Sequence, residues 1–317
     1  MAKQKKDILI ANPMFDVVFK LLMSDKEIAR YFVGTVLDEE ITDIDFAPQE
    51  YQYEKQKLIK NENQIKKIST VRLDFVATIR TTVGDKKKIL IEIQQSLKPY
   101  DILRFRTYIG EQYTNKENIE DKEDKLVNVM PIVVIYMFGF KIAEIPQIAI
   151  KIKRTGDDII GGGKVAIKNP IFEALTHDAY FIQVSRIEQQ MYEDWKKCSE
   201  LMKLLSIFEQ NYFTDKKYIK KYPYPITNKK IKKMVRTLER VALDTKTRRA
   251  MQEEEFAALD LAFFQDALAK ERKANITKDK ALAKALATKD KELATERNAL
   301  AKALARIAEL ERKNGIN

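Results

Sequence analysis

Cysteine and histidine occur once each in 317 residues, as Cys198 and His177. A single thiol excludes a disulfide framework, and one thiol with one imidazole excludes a Cys/His zinc site built within the chain. Cys–His catalysis would have no redundancy of partners to draw on. Cys198 lies in the helical pattern EDWKKCSELM and reads as a small packing residue. His177, following FEAL, reads as structural or surface. Long hydrophobic runs are also missing. The longest, VMPIVVIYMFGF at 129–140, is too short to span a bilayer and suits a central buried strand. The first apolar run stops at Asn12-Pro13, too early for a secretory signal. Three consecutive glycines, Gly161–Gly163, lack the G-x-x-x-x-G-K-[ST] spacing of a phosphate loop and mark a hairpin tip instead. The expectation is a soluble, cytoplasmic protein with no membrane partner.

Charge, by contrast, is plentiful and unbalanced. Lysine and arginine number 58 against 47 acids, a formal net charge of +11. Such a surface attracts polyanions, nucleic acid first among them, although many proteins of this charge bind none.

The pattern along the chain is α/β. PMFDVVFKLLMSDKEIARYFVGTVL at 13–37 carries two helical stripes, with Ser24 or Asp25 capping the second helix and Glu27 in its first turn. TVRLDFVATIR at 70–80 alternates as a strand, a turn follows at Gly84-Asp85, and KKILIEIQQS at 87–96 is the returning strand. PYDILRFRTYIGEQY at 99–113 is helical, and the buried strand near 129–138 comes next. This order gives a mixed sheet flanked by helices. From 186 onward helices dominate. The tail repeats an eleven-residue unit, TKDKALAKALA, then seven, TKDKELA, then eleven, TERNALAKALA. The mixture averages close to an unsupercoiled helix. Leu282, Leu286, Leu293, Leu300 and Leu304 supply a thin apolar seam that could pair with another copy or simply face solvent. The expected divisions are a core at 1–185, a helical region packed on it at 186–272, and the repeat helix at 273–317.

Two carboxylates interrupt the strands. Glu92 stands in the apolar run of 87–96 with Gln94 two residues on, and Asp74 interrupts 70–80 in the same way. An unpaired buried charge is costly, and two carboxylates about 4 Å apart repel by roughly 4 kcal/mol at an effective dielectric of 20. A divalent cation offsets that repulsion, and an oxygen-only ligand set favours Mg²⁺ or Mn²⁺. Convergence requires a particular register. A two-residue turn centred on Gly84-Asp85 would put Asp74 and Glu92 on opposite faces, so a longer or bulged turn is expected. The bland alternative pairs Asp74 with Arg72 or a lysine and leaves Glu92 at a solvent-facing edge.

A helix, RLDF with Asp74, IEIQ with Glu92 and Gln94, and a helix with RFRTYIGEQY follow one another in that order. This succession resembles the PD-(D/E)XK nuclease superfamily, and more narrowly its nuclease family transposases, the recombination-promoting nuclease group. The opening FDVVFKLLMSDKEIARYFVGTVL is similar as well, and the likeness runs over roughly residues 10–260. It implies a restriction-endonuclease-like core that cuts DNA with a divalent metal. Asp74 and Glu92 would be the metal-binding acids. Gln94 would stand where the superfamily usually has lysine, a departure common in this group. A glutamine positions by hydrogen bonds but brings no charge, and Lys20 or Lys88 could supply one. The resemblance further suggests Asp16 as an acid from the first helix, with Arg104 and Tyr108, four apart on one helix face, touching the phosphate backbone. The other reading of Asp16, Arg104 and Tyr108 is ordinary helix-surface chemistry. Two functions therefore stand side by side: a metal-dependent DNA endonuclease, and a non-catalytic DNA-binding or assembly protein on a decayed nuclease fold.

Overall fold

The computed structural model describes residues 7–313 except 48–49, 56–66, 73, 96–98, 116–117, 121–127, 166–171, 173–174 and 227. Strand β1 (Leu9–Ala11) leads into helices α1 (Asp16–Met23) and α2 (Lys26–Leu37). Strands β2 (Ile41–Phe46), β3 (Glu50–Lys55), β4 (Lys67–Arg72), β5 (Phe75–Thr81) and β6 (Lys86–Gln94) precede α3 (Pro99–Thr114). Then come β7 (Ile119–Glu120), β8 (Asn128–Val129), β9 (Ile132–Phe138), β10 (Ala149–Ile152), β11 (Gly156–Asp157), β12 (Lys164–Val165) and β13 (His177–Gln183). The remainder is α4 (Glu200–Leu205), β14 (Phe213–Asp215), β15 (Ile219–Lys221), α5 (Lys229–Leu243) and α6 (Thr245–Lys313).

Six strands form the main sheet in the order β10-β13-β9-β6-β5-β2. Neighbours β6, β9 and β13 run parallel, and the remaining pairs are antiparallel, so the sheet is mixed. Period-2 alternation divides its side chains between two faces. On one face Phe75, Ala77, Ile89, Ile91 and Val133 join Val18, Phe19, Leu22 and Phe32 of α1 and α2 in the larger core. On the other, Val76, Leu90, Ile132 and Val134 pack against Phe105, Tyr108 and Ile109 of α3. A buried Phe in such a core contributes roughly 2–3 kcal/mol of apolar transfer.

Local chemistry explains the boundaries. Of the two candidate caps, Asp25 starts α2, its carboxylate accepting from the N–H groups of Glu27 and Ile28 at 3.0 and 3.2 Å. The alternating run expected as one strand over 70–80 is two: β4 pairs with β3, and β5 pairs with β6 after Asp74. A three-stranded sheet, β1-β15-β14, was not anticipated; it joins Leu9–Ala11 to Ile219–Lys221 across some 200 residues of chain. Helix α5 presents Ile231, Met234, Val235 and Leu238 to the larger core.

The chain divides into two compact units, Met1–Glu254 and Glu255–Asn317. The helical stretch after 186 therefore belongs to the first unit as far as Glu254. The repeat tail is helical throughout its described length, within α6. Its leucines are open to solvent, between 45% exposed at Leu293 and 62% at Leu282 and Leu300. Among the described residues no helix is long and apolar enough to cross a membrane.

Candidate active site

The register of one hairpin brings the two acids together. Phe75 pairs with Ile91 and Val76 with Leu90. Continued by one residue, that register sets Asp74 directly opposite Glu92. The turn is longer than two residues, as convergence required. Thr81 N–H donates to the Asp85 carbonyl, Gly84 N–H donates to the Thr81 carbonyl, and Thr82, Val83 and Gly84 form the loop, with Gly84 at φ +89°. Glu92 is two residues on from Leu90 and so shares the α3 face of the sheet. It is 1% exposed.

Hydrogen bonds hold both carboxylates. Asp74 Oδ2 accepts from Ile93 N–H at 2.6 Å, and Glu92 Oε1 accepts from Gln94 Nε2 at 2.7 Å. The Asp74 residue keeps partial exposure, yet its carboxyl pKa is raised well above the usual range. Burial is the largest cause, followed by the negative charges of Glu92 and then Asp16; the Ile93 N–H and Lys20 oppose the rise. The end of β6 is tightly placed. Gln95 Nε2 donates to the Met14 carbonyl at 2.9 Å, and Gly139 N–H donates to the Gln94 carbonyl at 2.7 Å. A Cβ at Gly139 would lie 3.2 Å from Gln95 Cα, closer than most real contacts.

Helix α1 contributes Asp16 and Lys20, joined one turn apart at 2.8 Å. Both act electrostatically on Asp74. Of the two lysines the sequence proposes as a charge source, Lys20 is thus the one near the acids. Lys88 lies four residues back along β6 from Glu92, about 13 Å at strand rise, and is 3% exposed. Arg104 lies in α3, but its side chain falls outside the described residues. Tyr108 is buried in the smaller apolar cluster, its ring 6.3 Å from that of Phe105. That is the helix-packing alternative, and it leaves no exposed ring face for a phosphate backbone.

Two residues near these acids escaped the sequence reading. Tyr136 of β9 is the register partner of Glu92. Its ring stacks on Phe181 at 4.9 Å and meets Phe105 at 4.2 Å. Burial and, second, the Glu92 charge raise its phenol pKa. Period-2 alternation from Val134 is the signal that puts it on this face. Glu254, near the start of α6, accepts from Asp16 N–H at 3.0 Å and serves the first turn of α1, where Phe15 offers no capping side chain. Burial is the main cause raising its pKa to about 7. Asp16, Lys20, Ser24 and Glu254 border a cleft of about 530 Å³. Nothing local in MQEEEF distinguishes Glu254 from its two acidic neighbours.

Among the described residues no group of three His, Cys, Asp or Glu side chains has the spacing of a metal cluster. Among the described residues the Asp74 and Glu92 carboxylates act on each other, with Asp16 near Asp74 and bridged to Lys20. Such a set suits a hard cation that keeps much of its water shell and takes one or two protein carboxylates. It does not suit a closed protein cage. No family model, curated protein or solved structure matches the chain.

Proposed function

We propose that this chain is a metal-dependent endonuclease that hydrolyses DNA phosphodiesters, on a core of restriction-endonuclease type. The observation that carries the reading is the hairpin register which, continued one residue past Phe75 and Ile91, sets Asp74 opposite Glu92, with burial and the Glu92 charge raising the Asp74 pKa against the opposing pull of Lys20. Structural burial of like charges is unfavourable unless a counter-ion resolves it. Asp74 and Glu92 would hold Mg²⁺ or Mn²⁺, which when bound supplies an activated water and a Lewis acid for the phosphoryl oxygen. Gln94 fixes the Glu92 carboxylate through its amide N–H, and its own carbonyl would orient the attacking water. Lys20 adds positive charge beside the acids, the component that a glutamine in place of lysine omits. Asp16 keeps Lys20 in place through its ion pair.

A second reading is DNA binding or assembly without cleavage. The neutrality of Gln94 and the lack of a carboxylate trio among the described residues favour it. In either reading the exposed leucine seam of α6 suits pairing with a second copy of the chain.

Nicking of supercoiled plasmid separates the two. The parent should nick in Mg²⁺ or Mn²⁺ and not in EDTA, and Asp74→Ala should lower the rate by at least about 100-fold, the scale of losing a metal-held nucleophile. Undiminished nicking by Asp74→Ala would remove the assignment. Salt-sensitive DNA binding with no nicking under any metal would select the second reading.

A further inference from the structure

Helix α5 begins KKIKK and is basic along one side. Its apolar side is spoken for: Ile231, Met234, Val235, Leu238 and Ala242 are buried in the larger core. At 100° per residue, Lys229, Lys232, Lys233, Arg236 and Arg240 fall within an arc of about 100° on the opposite side. Acids from α2 neutralise only part of this charge. Lys233 Nζ lies 2.7 Å from Asp25 and 2.8 Å from Glu27, and Lys230 also pairs with Glu27. Lys229, Lys232, Arg236 and Arg240 form no ion pair among the described residues; Arg240 only donates to the Thr237 hydroxyl at 3.4 Å. Lys229, Lys232, Arg236 and Arg240 are exposed. A groove of about 580 Å³ runs beside them, with Glu239 its one lining carboxylate.

The arrangement is costly for the helix alone. Lysines in a first turn oppose the helix dipole, and α5 has no acid there to offset them. Like charges three and four residues apart also repel. An external polyanion would relieve both.

We infer that the outer side of α5 is the docking surface for the phosphate backbone of duplex DNA. This deepens the DNA-directed reading above by locating the contact, and it rests on that reading for the choice of DNA as the polyanion. From Lys229 to Arg240 the stripe spans about 17 Å of helix. Over that length duplex DNA presents on the order of ten charges, so four free cations meet a continuous partner rather than a single anion. A lipid surface fits poorly, because a membrane-bound helix needs an apolar side to insert, and here that side is buried in the core. The contacts read phosphates and carry no base sequence.

The test uses the 317-residue chain carrying Asp74→Ala, in EDTA, with a fluorescein-labelled 30-base-pair duplex followed by anisotropy across a salt series. Lys232→Glu/Arg236→Glu/Arg240→Glu should weaken binding at least tenfold near 100 mM salt. It should also flatten the log K against log salt slope by about 3, close to 0.9 per lost phosphate contact. Lys278→Glu/Lys280→Glu/Lys284→Glu makes the same charge change in the repeat helix and should leave the slope unaltered. Lys232→Gln/Arg236→Gln/Arg240→Gln, checked by circular dichroism, guards against loss of fold and should weaken binding in the same direction. Equal losses in the two glutamate triples, or none in the α5 triple, overturn the assignment. Tighter binding of a matched RNA duplex overturns the choice of DNA. The nuclease reading is judged separately by metal-dependent nicking in chains with Asp74 intact. Unimpaired nicking by the α5 triple at low DNA concentration would discard the docking surface and leave the nuclease standing. An intact salt response with no nicking would do the reverse.

Discussion

Lys220 and Glu209 meet at 2.8 Å with both side chains fully buried, whereas Asp74 and Glu92 stand opposite each other bearing charge of the same sign. In the first place the charges compensate. Lys220 also donates to the carbonyls of Ile207 and Glu209, and although burial pulls its pKa down to about 8, Glu209 resists the fall. In the second place Lys20, which draws the Asp74 pKa down, is itself paired with Asp16, and burial with the Glu92 charge raises that pKa. One pair serves packing in the small sheet, where Lys220 faces Ile10 and Phe213 across the strands. The difference separates a buried pair of opposite charge, which holds itself together, from two acids whose proximity raises the pKa of one of them.

The comparison breaks most visibly if the complete pair is opened. Glu209→Gln leaves the Lys220 charge buried without its partner, and the expected loss is about 3–5 kcal/mol. In a unit of this size that is a fall in Tm on the order of ten degrees, readable by calorimetry. Asp74→Asn should act in the opposite direction. Its amide oxygen can still accept from Ile93 N–H while one of two like charges is gone, so metal-free stability should rise by about 1–2 kcal/mol. Millimolar Mg²⁺ should then raise the Tm of the parent and not of this variant. If Asp74→Asn destabilises as Glu209→Gln does, the two pairs are not different in kind. The smallest effect comes from an exposed cluster that sharpens the contrast. Lys230 and Lys233 hold the Glu27 pKa down to about 2 from its ordinary 4.5. A depressed acid adds stability that is fully present above about 4.5 and disappears as pH falls through about 2. A thermal melt series from pH 5 to 2 should show a slightly shallower decline in Glu27→Gln than in the parent.

Much of this was written in local pattern. Parity places Glu92 with Leu90 and Asp74 with Val76, so both acids share a face once the turn is longer than two residues. The cap at Asp25, the mixed sheet and the helical repeat follow from equally local signals. What stayed hidden depends on distance along the chain. Glu254 reaches Asp16 across 238 positions, and Lys220 meets a β1 strand that is only three residues long. Neither partner carries a mark in its own neighbourhood, because an acid in a run of acids and a lysine in YIKKY look solvated. Tyr108 shows the limit of spacing from the other side: four residues from Arg104 is the spacing of a functional stripe, yet the same spacing serves Phe105 and Ile109 against the sheet.

The β5–β6 loop carries a further consequence. Nothing lies within 4 Å of a side chain built at Gly84, so the loop tip is sterically open. Surface connections of that kind ordinarily tolerate gain or loss of a residue. Here an added or missing residue that the loop did not absorb, and that slipped β6 by one against β5, would turn Asp74 away from Glu92. Register, more than identity, is therefore the inherited constraint behind this tip: descendants could vary Thr82 and Val83, while a one-residue slip of β6 against β5 would part the two acids without touching either.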